Sequence, residues 1–445
     1  MSDWKLHTPT GVSDILSGEC AKKKEVENTV WSVFASFGYQ EVETPSFEFY
    51  DVFAGNGGQI SQEVMFKFFD EHGRILTLRP DITTSIARMA ATKAELNVLP
   101  LRYCYTGNVF RAEKTEGARQ REFTQSGIEL IGADTPEADA EVIAAAIEAV
   151  LAVGIQESQV EIGQVAFFNG LVEQAGLGPA DIEKLRERID CKDTLGIREL
   201  TERLAIGEDV KGLMIELPYL FGGMDVFEKA MVAGLNETSK KALENLKRIY
   251  SLLCLYGFER FVSIDLGMLQ SIDYYTGSIF KIYTRGVSFP ICAGGRYNNL
   301  MGNFGKPMGA VGAAFGINRI LSALRNAGDT EAAGPSASLL FAEHNADGLA
   351  YDLAYSLRVN GCLVEGYVGD GDYKAAEAYA KKSGAGCMLR VFADGRLMIK
   401  DFLKQEITET TVQDFLGYYE DGEAEEDGCD CGHDHHDHDC GCDCH

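Results

Sequence analysis

Between Gly107 and Gly132 the chain reads GNVFRAEKTEGARQREFTQSGIELIG, a stretch dense in side chains able to hold a charged ligand. Its second half alternates as a β-strand does, with successive side chains on opposite faces. Arg119, Arg121, Phe123, Gln125, Gly127 and Glu129 fall on one face. Thr124, Ser126, Ile128 and Leu130 fall on the other, the last two facing a core. The first face runs from two guanidiniums, past an aromatic ring, to an amide and a carboxylate. Arg111, ahead of the turn-like EKTEGA loop, adds a third guanidinium at the basic end. Guanidinium forks suit phosphates and carboxylates, and a buried carboxylate suits an ammonium or an imidazole N–H. Such a face suits a ligand anionic at one end and cationic at the other, such as an amino acid beside a nucleotide. A single strand of this kind, taken alone, is more often a solvated edge with scattered charges.

The surrounding segments decide whether that face is a floor. Residues 19–38 space Val26, Val30, Val33, Phe34 and Phe37 as an amphipathic helix that Gly38 stops. A short strand broken by Pro45 follows. RILTLRPDITTSIARMAAT, 74–92, predicts a strand running into a helix, with Asp81 and Thr83 at the helix start, where caps are favoured. Thr135 or Asp134 caps a helix over about 136–153 that opens on Pro136. Residues 160–265 predict mostly helix and carry no chemical motif. Strand and loop return over 272–300 with the paired Tyr274 and Tyr275. Gly294-Gly295, just before Arg296-Tyr297, lets backbone approach a ligand closely. Residues 309–325 predict a glycine-rich strand entering a helix that carries Arg319.

In this order the segments resemble a known family. Gly107–Gly132 resembles motif 2 of the class II aminoacyl-tRNA synthetases, and within that class the histidyl-tRNA synthetase group, with the arginines, Gln125 and Glu129 in register without gaps. The 19–45 region resembles motif 1, Asp273-Tyr274-Tyr275-Thr276-Gly277 the histidine motif, and 309–325 motif 3. The resemblance covers residues 8 to about 325. It implies an α+β fold: a class II synthetase-like core, 1–328, with a mostly antiparallel sheet and a helical insertion over about 165–260. It further implies a histidine site of Asp81, Thr83, Arg111, Gln125, Glu129, Tyr274 and Tyr275. Vestigial nucleotide contacts would fall to Arg111, Arg119, Arg121 and Arg319. The family enzyme usually has Glu where this chain has Asp81, one methylene shorter in reach.

That group holds two kinds of protein: the synthetase, which charges tRNA with histidine using ATP, and a catalytically silent regulatory subunit of ATP phosphoribosyltransferase. Gln270-Ser271 stands where the synthetase has Arg-Gly. A neutral amide thereby replaces the guanidinium that offsets charge between carboxylate and phosphate. Leu-Arg-Pro-Asp near 80 and the run after Tyr297 are also more similar to the regulatory branch. The resemblance therefore implies a non-catalytic, histidine-binding subunit, a homodimer within a larger hetero-oligomer that includes a short-form catalytic chain. It requires no cofactor. An active histidyl-tRNA synthetase is the alternative.

Composition narrows the partners. The chain has 445 residues, 45% hydrophobic and 24% charged, and a net charge of −27. Asp421–His445 holds ten acidic residues and no Lys or Arg; the rest of the chain still carries −17. A body so acidic lacks the general pull on nucleic acid, so tRNA is not an expected partner. No apolar run suits a membrane span and no signal peptide is visible, which predicts a cytoplasmic protein. From about 336 to 418, strands alternate with helices, a small α/β domain resembling the anticodon-binding domain in layout.

The seven dispersed cysteines sit mostly beside apolar residues and read as buried free thiols. The segment 419–445 predicts a disordered acidic tail. It gathers Cys429, Cys431, His433, His435, His436, His438, Cys440, Cys442, Cys444 and His445, a donor set suited to Zn²⁺, Ni²⁺ or copper. Its Cys-x-Cys spacing differs from the Cys-x₂-Cys of an ordered zinc finger.

Overall fold

The structure is a computed structural model that describes residues 4–54, 60–94, 98–112, 120–204, 206–269, 275–328 and 337–420, the last three by backbone alone. Arg119, Gln270, Tyr274 and every cysteine and histidine of the tail lie outside the described residues. The chain forms two compact units, Met1–Ala332 and Ala333–His445.

The first unit is built on a nine-stranded sheet: β1 Gln40–Glu41, β2 Leu101–Phe110, β3 Glu122–Ile131, β4 Ser158–Gln164, β5 Phe221–Gly222, β6 Val262–Asp265, β7 Ser278–Thr284, β8 Cys292–Arg296 and β9 Ala310–Gly316. Their spatial order is β1-β2-β3-β9-β8-β7-β4-β6-β5. Pairing is antiparallel except where β1 meets β2 and β4 meets β6. Thus β3 lies between its hairpin partner β2 and the sequence-distant β9.

Four helices bear on the site: α1 Ser17–Ser36, α2 Thr83–Lys93, α3 Pro136–Ala152 and α4 Ile317–Asn326. On one sheet face lies the larger core, where α1, α3 and α4 meet Ile128, Leu130, Ile162, Phe280 and Phe315. Helix α3 is buried nearly all round, and its alanines let it pack closely there. The Thr135 hydroxyl accepts from the Ala138 amide at 3.3 Å and Pro136 occupies the first turn, as their sequence predicts.

The opposite face carries a second cluster, formed by Ile82, just before α2, and Ile86 of α2 with Tyr105, Ile131, Tyr275, Ile279 and Tyr297. The alternation along β3 therefore separates two environments, with Ile128 and Leu130 in the first and Phe123 and Ile131 in the second. Helices do dominate the chain between β4 and β6.

Two sequence expectations need correction. Only Cys104 and Cys292 of the seven dispersed cysteines are buried; Cys20 and Cys191 are exposed. Apolar sequence neighbours do not bury a residue in the first turn of a helix or just past its end. The second unit has a five-stranded sheet, one strand more than the four that the apolar runs of 336–418 predict. Its extra strand, Glu406–Thr411, pairs with Arg396–Asp401 and carries mostly exposed side chains, so it lacks the apolar alternation that marks a strand.

Candidate functional site

Glu129, on β3, lies at the centre of the second face and is 1% exposed. The Tyr105 phenol on β2 donates to its Oε1 at 3.3 Å, and the Tyr297 phenol, just past β8, donates to Oε2. Thr83, the first residue of α2, places its hydroxyl near enough to favour the charged form of the carboxyl. Burial pushes the Glu129 carboxyl up to about 8. The hydroxyls of Tyr297, Thr83 and Tyr105 oppose that rise, and the neighbouring Asp81 carboxylate adds to it.

Two glycines make this crowding possible. Gly312 pairs with Glu129 across β9, and a Cβ there would lie 1.7 Å from Oε2. Gly127 leaves room for Tyr105, whose hydroxyl oxygen would be 2.5 Å from an added Cβ. The register continues Glu129–Gly312–Gly295–Ile279–Gly163 across five strands. The Tyr275 ring lies over Gly295 and Met268 over Gly163, each about 3 Å from where a Cβ would sit, so small residues seat large ones along one line.

Asp81 stands just before α2. Its Oδ1 accepts the Thr84 amide at 2.9 Å and Oδ2 the Thr84 hydroxyl at 3.4 Å, so it caps the helix while remaining 6% exposed. Burial raises its carboxyl above the ordinary range, against the Thr84 bonds and the Arg111 charge. Gln125, two alternations along β3 from Glu129, is 7% exposed, and its Oε1 is buried with no hydrogen-bond partner among the described residues. An unpaired buried carbonyl is costly, and a ligand N–H would relieve it.

The arginines divide. Arg111 donates from Nε to the Pro80 carbonyl at 2.9 Å and places its guanidinium 5.4 Å from the Phe123 ring centre, tying the approach to α2 onto the β3 face. Arg121 is linked to it, its carbonyl accepting the Arg111 amide at 2.8 Å. Arg319 lies against the Phe289 ring and donates to the Pro290 carbonyl at 2.7 Å. The structure thus gathers Asp81, Thr83, Gln125, Glu129 and Tyr275 on one sheet face, with Arg111 beside Asp81. Arg319 is held by the segment leading into β8.

Three residues belong to this arrangement although the motifs did not single them out as site residues. Tyr105 and Tyr297 grip Glu129. Arg79 is 5% exposed and donates to the Asn108 and Thr44 carbonyls, under the gap left by Gly107. The cross-strand pairing of Tyr105 with Gly127 is the signal that finds the first. Arg296 instead serves the scaffold: it pairs with buried Asp139 of α3 at 3.1 Å and donates to the Ala133 and Thr135 carbonyls.

Chemically, the site is acceptor-rich. Two buried carboxyls and an orphan amide oxygen sit among phenols, with an arginine at one end. It suits a small zwitterion with N–H groups at both ends. No His/Cys/Asp/Glu cluster of metal-binding geometry occurs among the described residues, and none of their helices is long and apolar enough to cross a membrane.

Comparison with known proteins places the chain among relatives. A family model described as histidyl-tRNA synthetase matches residues 11–320. An ATP phosphoribosyltransferase regulatory subunit of Acetivibrio thermocellus is 46% identical over 417 residues, 94% of this chain and 100% of the relative. That of Ruminiclostridium cellulolyticum is 42% identical over 416 residues, 94% and 99% of the two chains. A crystal structure from Bacillus halodurans, described as an ATP phosphoribosyltransferase regulatory subunit/histidyl-tRNA synthetase, is 31% identical with a TM-score of 0.76, covering 87% of this chain and 98% of its own. A histidyl-tRNA synthetase from Nostoc shares the fold at TM-score 0.78 with 22% identity, over 94% and 99%.

Proposed function

Because the chain belongs to the ATP phosphoribosyltransferase regulatory subunits, within the histidyl-tRNA synthetase family, we propose that it is the non-catalytic, histidine-sensing partner of a short-form ATP phosphoribosyltransferase catalytic chain. In that role it supports activity and carries feedback at the first step of L-histidine biosynthesis, in the cytoplasm, as a homodimer within a hetero-oligomer. L-histidine is the ligand of the Glu129 face. The observation that carries this reading is the pairing of a buried carboxylate, which has no ion-pair partner among the described residues, with the orphan Gln125 oxygen on the same strand face. Both accept N–H groups, and histidine has them on its ring and its ammonium.

Residual synthetase chemistry is not expected. Forming an adenylate brings a carboxylate against a phosphate, and the chain has Gln270 where the synthetase has an arginine. Binding that holds the ground state as well as the transition state does not speed the step. The tail, with five cysteines and five histidines in seventeen residues from Cys429 to His445, chelates soft or borderline metals independently of this role.

Calorimetry with L-histidine, on the chain alone and with its catalytic partner, tests the site. Heat is expected, and Glu129→Ala should abolish it. No heat in either sample, or unchanged binding in the variant, rejects the reading. Histidine-dependent ATP–pyrophosphate exchange tests the alternative: robust exchange by the unmodified chain returns it to the synthetases. Weak exchange appearing only in Gln270→Arg supports a pocket that lost its chemistry.

A further inference from the structure

We propose that Tyr105 and Tyr297 are positioning residues of the ligand site: they hold the Glu129 carboxylate so that one acceptor position remains, which selects a ligand presenting a single N–H there, an imidazole ring. This rests on the histidine reading above and adds to it the means by which the ring is chosen.

A carboxylate offers about four acceptor positions. Tyr105 takes one on Oε1 at 3.3 Å, Tyr297 takes one on Oε2, and the nearby Thr83 hydroxyl, which favours the charged form, crowds a third. The two phenols come from β2 and from the turn after β8 and are 3% and 2% exposed, so packing as well as hydrogen bonding fixes them. Gly127 and Gly312 give up their side chains so that the hydroxyl and the carboxylate can come together.

Phenols suit this task because they are neutral. An arginine would orient Glu129 equally well but would cancel the charge that the ligand needs. An ammonium, which brings three N–H groups, would leave two unmet at this locus, whereas an imidazole presents one.

The groups facing Glu129 leave its ionisation to these hydroxyls. The start of α2 supplies Asp81 and Thr83, β2 supplies Tyr105, the turn after β8 supplies Tyr297, and the segment before β7 supplies Tyr275, which acts on Tyr297. Strand β9 supplies only Gly312, and Tyr39, past the end of α1, senses the carboxylate more weakly. Arg111 acts on Asp81. Burial favours the neutral carboxyl and the three hydroxyls favour the charged one. Removing a phenol should therefore move the pH at which the acceptor forms, as well as loosen its position.

The experiment is L-histidine affinity by calorimetry from pH 6.5 to 9 on the full chain, for the unmodified protein, Tyr297→Phe, Tyr105→Phe and Glu129→Gln. Thermal melts check that each variant is folded. Affinity of the unmodified chain should rise with pH through a midpoint near 8 and level off only above it. In Tyr297→Phe the midpoint should move up by about one pH unit, as expected from loss of one hydrogen bond to a charged group. Tyr105→Phe, whose bond is longer, should show a smaller upward shift and keeps the proposal testable if Tyr297→Phe does not fold. Glu129→Gln should bind more weakly and lose the pH dependence. A flat profile in the unmodified chain, or equal loss of affinity at every pH in both phenylalanine variants, overturns the proposal. Absence of any histidine binding by the unmodified chain instead rejects the site assignment itself.

Discussion

Replacing Gly312 with alanine should disable the site through one methyl group. The new Cβ would lie 1.7 Å from Glu129 Oε2 and 2.7 Å from both Glu129 Cδ and the Ile128 carbonyl oxygen. The first contact alone could be relieved by moving the carboxylate. The backbone contact cannot, and the carboxylate is itself held by Tyr105 and Tyr297. Overpacking of this kind costs about 1–3 kcal/mol, and surrendering one hydrogen bond to a charged group adds about 1.5–3 kcal/mol. Stability should fall by roughly 2.5–6 kcal/mol, seen as a lower urea midpoint with unchanged slope. Histidine would lose its bond to the displaced carboxylate, about 2 kcal/mol, or some thirtyfold in affinity by calorimetry. Gly212→Ala is the control: it lies within the helix Glu208–Glu216, where a Cβ meets nothing within 4 Å. It should keep full affinity and gain about 0.5–1 kcal/mol. A folded Gly312→Ala protein binding histidine within twofold of the parent would refute the reasoning.

Other perturbations follow from the same geometry. The Glu129 carboxyl is raised from 4.5 to about 8 on folding, so between those values the native state binds a proton that the unfolded state lacks, and stability falls as pH rises. Glu129→Gln should remove that slope, gaining on the parent by about 1.4 kcal/mol per pH unit across the window; equal offsets at pH 6 and pH 8 in urea titrations would contradict it. Asp139→Asn should cost about 3–5 kcal/mol in the same assay by leaving the buried Arg296 with only the largely exposed Asp134, 3.1 Å away, as its ion-pair partner, and a loss below about 1 kcal/mol would show that the Asp139 pair is not what seats α3 on the sheet. A chain ended after Tyr419 should lose bound Zn²⁺ by metal analysis while keeping its catalytic partner and its histidine response. Loss of the response would tie the tail to regulation.

What the sequence disclosed about this site is what local periodicity can carry. A period of two placed Gln125 and Glu129 on one face, and a helix start placed Asp81 and Thr83 together. Tyr105 and Tyr297 were hidden as partners because strand register, not sequence spacing, brings them to Glu129, from 24 and 168 residues away. The line through Gly312, Gly295 and Gly163 depends on the order of five strands, which no segment encodes by itself. Arg296 sits in a glycine-flanked motif suggestive of ligand approach. Its actual partner, Asp139, is 157 residues distant on the far side of the sheet. The strand Glu406–Thr411 escaped notice because polar residues on both faces leave no period to read.

The insertion of β9 between β3 and β8 also fixes when, during synthesis, the site can first exist. Strand β3 can pair with β2 as soon as residues 101–131 emerge, a hairpin closed by local contacts. Its other edge must wait for Ala310–Gly316, since Glu129 is matched to Gly312, and the Tyr297 phenol arrives only shortly before. Long-range pairings of this sort form late because the chain must first close a large loop. A nascent chain thus carries a carboxylate bound for the interior, and an open strand edge beside it, while some 185 of its 445 residues are added. At about 5–20 residues per second that interval lasts on the order of ten seconds or more. A ligand that needs both Glu129 and Tyr297 can bind only when nearly three-quarters of the polypeptide is made.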